Sequence, residues 1–515
     1  MIEVDGISKE PEPDPVFNGH RLSKYFPGKS TQSIRVPMPT AGMADREATR
    51  YLAAATQIDV EYARNVVDRV VNERLKALAP TFGVDVPVVT KWAMKALRVR
   101  AVRDYLLAAS LFLQVLFLAL LILWWGWSWI PILLLIIISW LVVSWDYQER
   151  IHNTVIRRML RDRFRTEDAP APAHKEDIAR LTEITQRKDG NLVVFSGHSA
   201  FVGTGDAVYR RRLLLDIRGR KEKDDIPARQ PDYFTSHDLH TAIIEAFDRE
   251  RGLAQSFDNI RVYERLFVNG LHIQNDKQLL PDQLRSPPTS VDRELLRAAA
   301  INPSPEARTY VCVEMPGWQG QLVVTLFIRA VYAGSSLFVE WTFRVLPPIS
   351  SKFLGIDKRY ELPKHRQFRE SLLFGLRELA PALLKSPARA VRSRRRPRNM
   401  KRQHSKLLYA IRRGYVFDYG ADRSIREDAS GRQRQHYFLA RDETMYILLA
   451  QQTLLRTVQN FLTDHGVDLG QFNDQVKVIF DQSISYNIGD IKDSAGIVIG
   501  DNSTANVSDS SKGAK

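Results

Sequence analysis

The residues of this chain that could do chemistry are few and scattered. The most suggestive run is Ser196-Gly197-His198-Ser199-Ala200-Phe201-Val202-Gly203-Thr204-Gly205-Asp206, which follows a strand-like segment. A glycine-rich loop after a strand can present backbone N–H groups to an anion. Gly197, His198, Ser199, Gly203, Thr204 and Gly205 are therefore the candidate ligand-binding residues, and a phosphate or lipid headgroup is the candidate ligand. The run has no Lys-Ser/Thr ending, does not fit Gly-x-Gly-x-x-Gly and lacks the second glycine of a nucleophile elbow. A purely structural loop is the competing reading. His237 and His240 stand three apart on one expected helix, a spacing that could put both on one metal, but no third ligand of matching spacing accompanies them. Surface histidines are the plainer reading. Cys312 alternates with Val311 and Val313 and reads as a sheet-core thiol, with no basic partner to make it a nucleophile. As the single cysteine it excludes an internal disulfide framework and a cysteine-rich zinc cluster. No catalytic residue, metal site or cofactor follows from these residues.

Charge points to a different kind of chemistry. Lys plus Arg number 74 against 59 Asp plus Glu, a formal net charge of +15. Much of it sits between Ala388 and Arg413, which hold eleven Lys or Arg and no acid. Such a segment seeks a polyanion. At an anionic lipid surface each basic residue contributes roughly 1 kcal/mol; nucleic acid is the other candidate. No aromatic residue lies between Ala388 and Leu408, so there is no stacking platform for single strands. Lipid headgroups are the expected contact, through Arg389, Arg392, Arg394, Arg395, Arg396, Arg398, Lys401 and Arg402, with a solvated linker as the alternative. Nucleic acid is not expected.

The elements that would bring this segment to a membrane are plain in the hydropathy. Tyr105 to Trp145 contains no Asp, Glu, Lys or Arg, and a span needs about 20 apolar residues. The run divides at Trp124-Trp125-Gly126-Trp127-Ser128-Trp129-Ile130-Pro131. Gly and Pro favour a turn there, and Trp124, Trp125, Trp127 and Trp129 suit a membrane interface. Tyr105–Trp124 and Ile130–Trp145 are thus expected as a helical hairpin. Arg and Lys crowd both flanks (Lys91 to Arg103, Arg150 to Arg165) while the turn is uncharged, so both termini are expected in the cytoplasm at the plasma membrane. Within the spans only Ser110, Gln114, Ser139 and Ser144 are polar besides Tyr and Trp, which reads as an anchor rather than an ion path. An oligomeric pore lined by Gln114 is a further alternative.

Around the hairpin the chain divides by composition. Residues 1–43 are a Pro-rich arm expected to be disordered. Residues 44–104 read as a helical juxtamembrane module, in which Asp59 caps a helix carrying Val60, Ala63, Val67, Val70 and Val71; the plainer expectation is that it packs on itself. A helical and linker segment (146–187) follows the hairpin (105–145). Residues 188–386 show strand patterns at 191–196, 213–217, 259–269, 309–314, 321–331 and 337–345, with a helix from Ser236 to Arg251. A helix from Pro363 ends before Pro387, the polybasic linker covers 387–413, a helical region covers 414–483, and 484–515 form a short β-repeat tail in which Asn487-Ile488-Gly489-Asp490 recurs as Val498-Ile499-Gly500-Asp501. The expected fold class is α+β: a transmembrane helical hairpin joins a small N-terminal helical module to a cytoplasmic mixed-sheet α/β domain, followed by a C-terminal helix and short β tail.

Asn191–Gly205 (NLVVFSGHSAFVGTG) and Trp318–Pro348 (WQGQLVVTLFIRAVYAGSSLFVEWTFRVLPP) resemble a group of uncharacterised actinobacterial membrane proteins, and the similarity extends over most of the chain. The tail separately resembles short Ile-Gly-Asp tails of bacterial conflict-system proteins and, more loosely, the head repeats of trimeric adhesins. The resemblance implies a membrane protein and carries no catalytic residues. The functional expectation is a membrane-anchored cytoplasmic binding or scaffold protein, in sensing or defence signalling if the tail resemblance holds. Its partners would be the bilayer, anionic headgroups and a protein or second copy met through tail and hairpin. The alternative is a membrane-surface enzyme using the Ser196–Asp206 loop. Two repeats bury too little by themselves and need other copies or a sheet edge. Deleting residues 484–515 is therefore expected to lower the oligomeric state in native mass spectrometry; an unchanged mass would remove the tail from assembly.

Overall fold

Hydropathy dictates the first part of the architecture. The computed structural model describes residues 41–123, 129–186, 190–217, 231–253, 260–358, 360–431 and 437–489. Trp124, Trp125 and Trp127 lie outside the described residues, as do the tail beyond Gly489 and all of the Pro-rich arm except its last three residues, which begin helix α1 (Ala41–Ile58). Helix α2 (Val60–Val67) starts where Asp59 accepts the Glu61 and Tyr62 N–H groups at 2.8 and 3.2 Å. The third juxtamembrane helix and the first apolar run are one rod, α3 (Val86–Leu123). Helix α4 (Ile130–Tyr147) continues as a π-helical segment to Ile156. Two helical stretches, Val86–Ile122 and Ile130–Ile156, are long and apolar enough to cross a membrane. Their outward side chains, among them Phe112, Val115 and Leu134, are exposed. Between them Ser110 and Ser139 are buried 2.8 Å apart, and Gln114 Nε2 donates to both hydroxyls at 3.2 and 3.3 Å. Small polar residues let helices approach closely and satisfy one another. Gln114 is thus occupied inside the hairpin.

The N-terminal module does not close on itself. Its core of Leu52, Tyr62, Val89 and Trp92 is completed by Met159 and Phe164 and by Phe353, Ile356 and Ile425 from much later in the chain. Arg50, whose side chain is buried, lies 2.7 Å from both Glu47 and Asp357. Tyr51 also donates to Asp357.

The α+β region is built on one six-stranded sheet in the order β1-β3-β4-β5-β6-β2. The strands are β1 (Leu192–Phe195), β2 (Asp206–Asp216), β3 (Arg261–Asn269), β4 (Ala307–Gly317), β5 (Leu322–Ala333) and β6 (Ser336–Leu346). Among the six strands β1 and β3 pair parallel and the other neighbours antiparallel, so the sheet is mixed. Gly334, at φ 63°, makes the turn into β6. Alternation places Val311, Val313, Leu326, Ile328, Val339, Trp341 and Phe343 on one face, under α6 (Ser236–Leu253) and α11 (Tyr437–Asp464). Strand β2 starts seven residues earlier than its apolar pattern, because Arg210, Arg211 and Arg212 belong to an edge strand exposed enough to carry them. Helices α5 (Lys175–Gln186), α7 (Arg293–Ile301), α8 (Ser351–Leu354) and α10 (Ile425–Asp428) are short. Helix α12 (Gly470–Gly489) includes residues 484–489, so the first residues expected in the β tail are helical.

The main departure from expectation is α9 (Lys364–Arg412), a helix of 49 residues. It does not stop at Pro387, and the polybasic segment expected as a linker is its second half. A proline strands the carbonyl four residues earlier. For Pro387 that is Leu383, whose carbonyl accepts Ser386 Oγ at 2.7 Å. The helix also packs against α3 and α4, which hold it as local propensity alone would not.

The Arg50–Asp357 contact makes a pH prediction. Burial alone would raise the Asp357 carboxyl, but hydrogen bonds from Arg50 and Tyr51 outweigh it and hold it below the usual range. Its stabilising contribution is therefore present above the unfolded value of about 4 and lost as pH falls through the lower folded value. Asp357→Asn should lower the melting temperature at pH 7 and flatten its fall below pH ~4, measured by thermal unfolding in detergent. An unchanged acid slope would assign that fall to other carboxylates.

Candidate functional site

The glycine-rich loop binds an anion, and the anion is the chain's own. Gly203 and Gly205, at φ 90° and 80°, turn their N–H groups onto one oxygen of Glu427, each at 3.0 Å. The other oxygen of Glu427 accepts Ser424 N–H at 2.8 Å, while the Ser424 hydroxyl accepts Glu427 N–H, a capping box on α10. Thr204 Oγ1 donates back to Phe201 O at 2.8 Å. Gly197, His198 and Ser199 are exposed at the loop's outer end. Phe201 stacks on Phe327, ring centroids 4.1 Å apart, and closes one sheet face. A Cβ at Gly203 would strike the Pro80 carbonyl, and one at Gly205 would strike the Val345 carbonyl. Both converging N–H groups thus already have an acceptor, and an external phosphate would have to displace Glu427.

The histidine pair also takes on a structural role. His240 is fully buried rather than on the surface. Its Nε2 accepts Ala330 N–H at 3.2 Å, so the proton lies on Nδ1, 2.9 Å from Glu264. Cys312 is buried, and burial pushes its thiol far up.

The expected lipid-contact residues gather more than sequence spacing could show. The second half of α9 lies across α2, the N-terminal half of α3 and the start of α5, and together they enclose a cleft of about 1250 Å³. Arg389, Arg392, Arg396, Arg398 and Lys401 line it from α9; Arg394, Arg395 and Arg402 are exposed elsewhere on the helix. Arg64, Arg74, Arg100, Arg103, Arg150 and Lys175 face them from the other elements. Eleven cations therefore meet four acids, Asp68, Asp104, Glu176 and Asp177. Three of the four acids are engaged: Arg396 pairs with Asp68, Arg74 with Glu176 at 2.9 Å and Arg103 with Asp104 at 2.7 Å. Arg100 donates only to the Thr56 and Gln57 carbonyls, at 3.1 and 2.6 Å. The Arg64 guanidinium has no hydrogen bond or ion pair among the described residues, and burial together with repulsion from Arg396 and Arg392 lowers its pKa. Ile58, Val67, Val71, Leu97 and Met400 supply apolar lining. Ser393 donates to Tyr105 Oη at 3.1 Å, so the cleft borders the start of the uncharged run.

Arg64 and Arg74 escaped sequence reasoning, since both lie on an amphipathic helical module far from the basic run. The only available signal was a cation excess on every flank of the hairpin. Trp129, the one tryptophan of the expected interface set within the described residues, is exposed just before α4.

The chain is thus an α+β protein with two membrane-capable helices and a basic cleft at their base. Residues 211–493 match the AbeC-like domain family, more than half of the chain, and the chain belongs to that family. The match begins inside β2 and runs past α12. The hairpin and glycine-rich loop precede it, whereas all of α9 falls within it. No curated protein and no solved structure matches the chain.

The loop geometry yields a direct test. Glu427→Ala leaves the Gly203, Gly205 and Ser424 N–H groups without their acceptor, at about 1–3 kcal/mol for each that stays unsatisfied. It should lower the melting temperature and expose residues 196–206 to protease. A loop as resistant as wild type would mean that its N–H groups find another acceptor.

Proposed function

We propose that this protein is a membrane-anchored scaffold that engages phosphate-bearing anions at the inner face of the plasma membrane through its basic cleft. The observation that carries this reading is the excess of cations over acids in a cleft bordering the start of the apolar hairpin. Apolar lining beside the cations suits an amphiphilic ligand, and an anionic lipid headgroup supplies both features. The hairpin acts as anchor, with both termini in the cytoplasm by the positive charge of its flanks. The satisfaction of Gln114 within the hairpin favours the anchor over the pore. The placement of Glu427 weighs against a phosphate-processing site in the Ser196–Asp206 loop, and so against the enzyme alternative. The helical surroundings of the arginines and the lack of stacking aromatics among them disfavour nucleic acid.

The wider role rests on resemblance. Resemblance to actinobacterial membrane proteins fits the anchor, and the Ile-Gly-Asp tail suggests assembly in a sensing or defence pathway. In this reading the sheet domain is the part offered to a protein partner, and self-association runs through tail and hairpin.

The test is binding of dioctanoyl phosphatidic acid and of sodium pyrophosphate to full-length protein in neutral nanodiscs. Arg64→Glu with Arg392→Glu should weaken binding at least about thirtyfold, since each cation contributes about 1 kcal/mol and reversal exceeds neutralisation. Binding of the lipid alone marks a headgroup site, and equal binding of pyrophosphate marks a free phosphate ligand. Unchanged affinity in the double variant would overturn the cleft assignment.

A further inference from the structure

The first half of α9 has an apolar face of which part is covered by none of the described residues. At 100° per residue, Leu372, Leu373, Leu376, Leu379, Ala380, Leu383, Leu384, Pro387, Ala390 and Val391 fall in one sector of about 140°. Between Ser371 and Val391 that sector carries no charge; Arg377, Glu378, Lys385 and Arg389 all lie outside it. Part of the sector touches the hairpin. The rest does not: Leu373, Leu376, Leu384 and Val391 are 61%, 62%, 71% and 47% exposed. The buried stripe beside it is made of small residues, Ser371, Gly375, Ala382 and Ser386, which bring α9 close to the hairpin. A Cβ at Gly375 would strike Ser144 Oγ.

The contacts set the direction of the helix. Glu370 accepts Tyr147 Oη–H at 2.9 Å, Phe374 stacks on Tyr147 at 4.1 Å, Ala382 packs on Leu107 and Val143, Arg389 lies 3.9 Å from Asp104 and Ser393 meets Tyr105. From 370 to 393 α9 advances about 35 Å. Its partners on α3, Asp104 to Leu107, span only about 5 Å, and those on α4, Trp140 to Gln148, about 12 Å. The helix therefore crosses the hairpin at its charged end instead of running along it. The two flanks of α9 also meet different depths. On the apolar flank the Leu372 carbonyl accepts Trp140 Nε1–H at 2.8 Å, well inside the uncharged run. On the opposite flank Glu370 and Phe374 meet Tyr147, next to the charged turn that holds Asp146 and Arg150.

We propose that residues 371–391 of α9 lie in the plane of the membrane at its inner surface, with Leu373, Leu376, Leu384 and Val391 sunk among the lipid acyl chains. The occupant of the bare face is the leaflet, because that face continues the exposed apolar surface of α3 and α4. Arg377 and Lys385, exposed outside the apolar sector, sit where cations meet headgroups, the usual arrangement of an interfacial helix. The helix would fix the depth and rotation of the hairpin and hold the basic cleft at headgroup level. The inference rests on the hairpin being inserted.

Single cysteines test it in full-length protein reconstituted into liposomes. Buried Cys312 is first replaced (Cys312→Ala). An environment-sensitive fluorophore is then placed by Leu376→Cys or Leu384→Cys on the apolar face, by Arg377→Cys or Lys385→Cys on the polar face, and by Leu116→Cys on the hairpin. Lipids carrying a nitroxide high on the acyl chain should quench the 376 and 384 labels at least about twofold more than the 377 and 385 labels. Quenching at 116 together with equal, weak quenching at all four α9 positions would overturn the in-plane helix and leave the hairpin anchored. Absence of quenching at 116 would overturn membrane insertion itself, and the in-plane helix with it.

Discussion

One carboxylate organises the base of the hairpin. Asp146, fully buried, accepts Arg150 at 2.6 and 2.9 Å and Arg103 at 3.0 Å. Arg150 and Arg100 then donate to the carbonyls of Thr56 and Gln57 at the end of α1. The set joins α1, α3 and α4 where an uncharged hairpin gives way to a basic surface. Two uncharged apolar helices have no pattern that selects one register over another, so polar contacts such as this set fix it. A buried ion set of this kind is costly to break, because each partner removed leaves another charge stranded. The cleft, the crossing of α9 and the juxtamembrane core all inherit their positions from it.

A second junction, far smaller, ties the sheet to that base. Helix α10 is a single turn, yet each of its residues reaches a different part of the molecule. The Ile425 carbonyl accepts Tyr62 Oη–H at 3.0 Å. Glu427 occupies the glycine-rich loop. Asp428 pairs with Arg69 at 3.0 Å. Arg426 is fully buried, hydrogen-bonded to Ser430 at 2.8 Å, and burial lowers its guanidinium to about 10. A loop that resembles an anion-binding site by composition has thus become a socket for an internal carboxylate. The same backbone chemistry serves architecture because the anion is covalently part of the chain.

How far the sequence could be read depended on how local the deciding force was. The hairpin, the helix cap at Asp59, the β5–β6 turn at Gly334 and the alternating strands β3 to β6 were legible, because each is set by neighbours within a few residues. Helix α9 was misjudged at Pro387 because the rule that prolines end helices assumes no compensating contact; here Ser386 and the hairpin supply one. His240 was expected at the surface because histidine usually is, and its burial depends on Glu264 and Ala330, which lie on strands β3 and β5, far from helix α6 in the chain.

The sequence by itself determined that the chain carries two uncharged apolar helices, an α+β domain and a dense cationic segment, since hydropathy, periodicity and charge are properties of contiguous residues. Only the tertiary structure decided that the cationic segment is helical, that it faces Arg64 and Arg74 across a cleft, and that Glu427 fills the glycine-rich loop. Those outcomes join residues more than 200 positions apart. Electrostatic and packing energies depend on distances in space, and these are decided only when the elements have packed.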